Sequence, residues 1–147
     1  MKIKQTAVAG ALASIIAMPA FAELDTGAAQ ASANVAIFAA ITELDNFALA
    51  ATGIDGAANA TYAASEPFHL ESNAPVRLTI AASSMTNGSD TISTIYRFEN
   101  GTALLETEAD SVHDQEHSLN VTSELGEISD QRAGDYAANV LITVTAL

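Results

Sequence analysis

Residues 87–107 read NGSDTISTIYRFENGTALLET, and the fold turns on them. Ile92, Thr94, Tyr96 and Phe98 alternate with Ser93, Ile95, Arg97 and Glu99. That period of two sends successive side chains to opposite faces of a strand. Asn-Gly pairs stand at both ends, Asn87-Gly88 and Asn100-Gly101. Such pairs tolerate positive φ, and between alternating runs they are the strongest short-range hairpin signal. The stretch therefore reads as strand, reversal and strand, with TALLET, 102–107, running back.

The same alternation recurs outward in both directions. NVAIFAAI, 34–41, carries Val35, Ile37, Ala39 and Ile41 on one face and Ala36, Phe38 and Ala40 on the other, as a strand buried on both sides would. Weaker runs lie at 47–51, at 60–64 and around Phe68 and Leu70. SNAP, 72–75, makes a turn into VRLTIAA, where Val76, Leu78 and Ile80 share a face. Beyond an acidic loop, HSLNVTSE, 117–124, points Leu119 and Val121 inward. The run AGDYAANVLITVTAL, 133–147, aligns Tyr136, Ala138, Val140, Ile142 and Val144. About eight strands at this spacing imply an all-β antiparallel sandwich. No repeat or linker interrupts residues 34–147, which read as one domain.

The chain opens MKIKQTAVAGALASIIAMPAFA. Lys2 and Lys4 precede an apolar stretch, and Ala20-Phe21-Ala22 offers small residues to a signal peptidase. Residues 1–22 thus read as a secretory signal peptide cleaved after Ala22, the apolar run being short of the roughly 20 residues a membrane span needs. Alanine-rich residues 23–33 form an N-terminal extension. No second apolar run of spanning length follows, so the mature chain is expected to carry no transmembrane segment.

Cleavage sharpens the charge. Three arginines, Arg77, Arg97 and Arg132, then face 18 acidic residues, a net −15. A surface of that sign cannot neutralise phosphates, which argues against nucleic-acid partners. Cysteine is absent, so stability must come without the disulfides common in small exported domains. Thiol catalysis, haem attachment and iron–sulfur chemistry are excluded as well. Ala, Ser and Thr crowd the strands, and small side chains bury little area each at about 25 cal/mol per Å². Burial gained from neighbouring subunits would compensate.

Gly134-Asp135-Tyr136 before Val140, Ile142 and Val144, together with SNAPVRLTIAASS at 72–84, resembles the strands of secreted immunoglobulin-like subunits of bacterial fimbriae and of the spore coat protein U family. The resemblance implies an immunoglobulin-like sandwich, with a jelly-roll-like arrangement as the variant. It also implies a structural subunit that polymerises into an extracellular filament, pilus or coat. In such relatives the fold lacks one strand, and an extension of the next subunit fills the groove, with an assembly chaperone in some. Val35, Ile37, Ala39 and Ile41 are the donor or edge-strand residues, and Tyr136, Val140, Ile142 and Val144 the terminal strand. Segment 34–41 is equally suited to pairing within its own subunit, and the cysteine pair of many fimbrial subunits is missing.

Site chemistry is sparse. His113 and His117 lack the HExxH order and a third ligand at a recognisable spacing, so they read as part of a solvated loop, and His69 reads as a lone strand residue. Glu106, Glu108, Asp110, Asp114 and Glu116 cluster in sequence and would suit Ca²⁺ in their oxygen chemistry, without an EF-hand pattern. Sequons fall at Asn59, Asn87, Asn100 and Asn120. No GxSxG, SxxK or phosphate-cradling loop is present, so no enzyme activity and no required cofactor are expected. The alternative to a homopolymer is a monomeric periplasmic or extracellular binding module for carbohydrate or Ca²⁺.

Overall fold

Asn87 and Gly88 form the reversal that the alternation around them requires. The computed structural model describes residues 29–109 and 112–147; the expected signal peptide, residues 1–22, together with residues 23–28, Asp110 and Ser111, lies outside the described residues. Asn87 pairs with Asp90 across a two-residue loop, Gly88-Ser89. Gly88 holds φ at +64°, the conformation a two-residue hairpin loop needs at its first position.

Nine strands succeed one another: β1 (Ala39–Thr42), β2 (Ala50–Ala51), β3 (Thr61–Ser72), β4 (Val76–Ala82), β5 (Met85–Asn87), β6 (Asp90–Phe98), β7 (Leu104–Glu106), β8 (His113–Glu124) and β9 (Val140–Ala146). One 3-10 turn, Ile128–Asp130, follows β8. All pairings are antiparallel. Six strands make one sheet, in the order β1-β3-β8-β6-β5 with β2 also on β3, and three make the second, β7-β4-β9. The chain is an antiparallel β-sandwich. Among the described residues no helix is long and apolar enough to cross a membrane.

The core lies where the two sheets face each other. Phe68, Leu70, Val76, Leu78, Phe98 and Leu105 form one buried cluster, with Ala39, Ile41, Leu44, Ile80, Ile142 and Val144 packed on it. Phe68 and Phe98 meet tilted, with ring centres 6.0 Å apart. Each such side chain contributes about 1.5–3 kcal/mol on full burial.

Several strand bounds depart from the sequence reading. Phe68 and Leu70 belong to the same long strand as residues 61–64, because β8 pairs with all of β3. Pro67 interrupts nothing. Thr61 accepts from Thr52 and Asn73 donates to Phe38, so odd-numbered positions of β3 turn their backbone toward the β1/β2 edge. Pro67 is one of these, and it falls between the stretches paired with β1 and β2. A residue without N–H is tolerated at such a gap. The strand expected over 47–51 shrinks to Ala50–Ala51.

TALLET does not return beside β6. The turn forms, with Gly101 N–H bonded to the Phe98 carbonyl at 2.9 Å and Phe98 N–H to Thr102 at 2.8 Å, and Gly101 at φ +79°. Then the Asn100 amide and the Thr102 hydroxyl both donate to the Leu104 carbonyl, at 2.8 and 2.6 Å. Residues 104–106 cross to β4 in the other sheet instead. The closing strand likewise starts at Val140, not Tyr136. Ala137 makes a separate bridge to Thr86, and the Tyr136 hydroxyl reaches back to the Arg132 carbonyl at 3.0 Å, which pins the corner.

Candidate functional site

The unequal sheets leave part of the larger one uncovered by strands. Two adjoining hollows, about 700 and 360 Å³, open between its inner face and the loop segments 44–49 and 125–139. Tyr62, Ile92, Tyr96, Leu119 and Val121 supply the sheet side, and Phe47, Leu49, Met85 and Tyr136 border both hollows or the passage between them. Small hydroxyls replace bulk here. Ser123, 2% exposed, donates to the Ser93 carbonyl at 2.9 Å and shares a 2.8 Å hydrogen bond with Thr94. Satisfied polar groups of that size hold the strands together without filling the space.

One wall of the smaller hollow is Val140, the first residue of β9. That strand bonds β4 on one side, and no described strand pairs with its other edge. Its inner residues Val140, Ile142 and Val144 are half-buried, while Leu141 between them is exposed. An unpaired edge beside an open groove is a template for another strand.

The segment before β1 presents the converse. Val35, Ile37 and Phe38 are 79, 60 and 67% exposed, although their side chains are apolar. Asn73 holds the backbone on either side of Ile37. Its side chain donates to the Ala36 carbonyl at 2.9 Å and accepts from Phe38 N–H at 2.7 Å. The strand expected over 34–41 narrows to Ala39–Thr42. Ala39 and Ile41 pack on the subunit's own core; Val35 and Ile37 do not. Residues 29–34 carry no regular structure and are exposed.

A second grouping lies at the far end of β3 and β8. His117 bonds Glu99 through Nδ1, and its Nε2 is 2.8 Å from Nε2 of His113. The ring centres are 5.1 Å apart and the planes 10° from parallel. Since 5.1 − 2.8 = 2.3 Å is two ring radii, the imidazoles meet nitrogen to nitrogen in nearly one plane. Facing nitrogens require a proton between them, so one ring donates to the other and Glu99, His117 and His113 form a hydrogen-bonded relay. Burial alone would raise the Glu99 carboxyl, but hydrogen bonds from His117 and the Ser118 N–H outweigh it and hold it below 4.5. Burial, reinforced by His117, lowers His113 against the opposing pull of Asp114 and Glu108.

On the outer face, His69 Nε2 lies 2.6 Å from Asp114 Oδ1, and Glu71 offers a third donor within 4.8 Å of both. Of the five carboxylates that cluster in sequence, the four among the described residues are not gathered as a group. Glu106 pairs with Arg77 at 2.6 Å on the smaller sheet, Glu108 lies near His113, and Asp114 and Glu116 sit on β8 opposite Glu71 and His69. Sequence reading took His69 for a lone strand residue and did not single out Glu71; the structure gives His69 the partners Asp114 and Glu71. The shared parity of His69 and Glu71 on one strand was the available signal, but the strand they face lies 45 residues on.

The sequence matches no family model and no curated protein.

Proposed function

We propose that this chain is an exported structural subunit, not an enzyme, that assembles with copies of itself into an extracellular filament or coat by strand exchange. The observation that carries the reading is the pairing of opposites within one subunit. Apolar residues Val35, Ile37 and Phe38 stand exposed, while a groove and the free edge of β9 meet at Val140. Segment 35–38 of one copy supplies alternating side chains to the groove of the next, and its backbone extends the β9 edge. The 34–41 run thereby divides, with Ala39 and Ile41 retained at home and the residues before them given away. The leader reading provides export, and an assembly chaperone would shield the groove before donation.

Electron microscopy and sedimentation of the purified protein test this. Fibres or sheets should appear on concentration, and an excess of a peptide spanning residues 34–41 should cap the grooves and stop growth. Monomers that persist at high concentration would overturn it. One observation favours a second reading: a hollow of about 700 Å³ bordered by Tyr62, Asp55, Arg132 and Tyr136 has the size of a small-ligand site. A monomeric carbohydrate-binding module would show saturable sugar binding there without assembly.

A further inference from the structure

The outer face of the six-stranded sheet carries a juxtaposition that the assembly reading does not use. Glu71 on β3 stands directly across from Asp114 on β8, and His69 across from Glu116. Odd-numbered positions of β3 turn their backbone bonds toward β1, so both are non-hydrogen-bonded pairs with β8, the closer kind, with Cα atoms about 4.5 Å apart. Two carboxylates facing each other there repel and cost stability. Three acids and one imidazole thus occupy a two-by-two patch. The flanking β1 residues opposite Glu71 and His69 are Ala40 and Thr42, too small to cover the donors.

We propose that His69 Nε2, Glu71 and Asp114 bind a divalent first-row metal ion, with Zn²⁺ as the representative. One nitrogen and two carboxylate oxygens already lie within 4.8 Å of one another. Adjacent donors of a tetrahedral ion of this kind, at about 2.1 Å from it, are separated by about 3.4 Å. The His69–Asp114 contact, 2.6 Å through a proton, opens by about 0.8 Å once a tetrahedral ion replaces that proton. Asp114 is 75% exposed at its side chain, which leaves it free to make the adjustment. Imidazole selects zinc, copper, iron or nickel over calcium, and the remaining coordination positions face solvent. The donor set is distinct from the His113–His117 relay, whose nitrogens aim at each other along one line.

Isothermal titration of the purified protein with ZnCl₂ tests the site, with CaCl₂ and MgCl₂ as comparison arms. One saturable Zn²⁺ site per chain is expected, with Ca²⁺ and Mg²⁺ at least tenfold weaker. His69→Gln and Asp114→Asn should each weaken Zn²⁺ binding at least tenfold, while His113→Gln leaves it within twofold. Melting curves check that the variants remain folded. Independently of any variant, substoichiometric Mn²⁺ should broaden amide resonances around His69, Glu71 and Asp114 first. Absence of saturable Zn²⁺ binding, its loss in His113→Gln but not in His69→Gln, or Mn²⁺ broadening spread over the acidic surface would each overturn the proposal.

Discussion

Replacing Ile37 with Asp separates the strand that is given away from the strand that is kept. In the single subunit Ile37 is 60% exposed and outside the core cluster, so the substitution should change monomer stability by no more than about 0.5 kcal/mol. In a neighbour's groove the same side chain would be enclosed. Losing it forfeits about 1.5–3 kcal/mol of burial, and a carboxylate there adds a desolvation penalty of a further few kcal/mol. At 1.4 kcal/mol per tenfold, association should weaken at least roughly 100-fold. Ile41→Asp is the contrasting control, because Ile41 packs on Phe68, Leu70 and their neighbours. Ile41 is half-buried, so truncation forfeits part of the roughly 2–5 kcal/mol of a buried isoleucine. A carboxylate against the core adds a desolvation cost, so that variant should be clearly less stable as a monomer. Urea melts report the first quantity, and critical concentration by sedimentation reports the second. If the Ile37→Asp protein assembles at the unaltered concentration, the exposed arm is not the donor. If it unfolds, the arm belongs to its own core.

Acidification should destabilise the sandwich through Glu99. Its folded carboxyl is held below the ordinary 4.5, so its contribution is present above that value and is lost as pH falls through the folded one. Melts between pH 7 and 3 should show a shallower decline for Glu99→Gln than for the parent, and equal slopes would refute the assignment. Gly134→Ala should cost about 1–3 kcal/mol in urea melts, because φ is +138° and the new Cβ would come within 2.7 Å of the Asn87 amide nitrogen. Phe98→Ala, at a fully buried position against Phe68, should lower stability by about 3–5 kcal/mol; a loss under 1 kcal/mol would mean the two sheets are not locked there.

How much of the molecule was legible in its sequence follows the range of the forces involved. Side-chain alternation is local, so the inward sets Ile92, Thr94, Tyr96 and Phe98, or Leu119 and Val121, could be read directly, as could turns whose φ demands fall on Gly88 and Gly101. Partner choice is long-range. Nothing near Thr102 announces that its hydroxyl and Asn100 would kink the chain away from β6, nor that Asn73, 35 residues from Phe38, would bond the arm on either side of Ile37. The same limit hid His69 beside Asp114: each residue's face was set by parity, but their meeting required the β3–β8 register. The sequence by itself therefore determined strands, turns and the all-β class, because backbone geometry repeats every two residues. Only tertiary pairing decided which sheet each strand entered, where the groove was left open and which charged groups came to face one another.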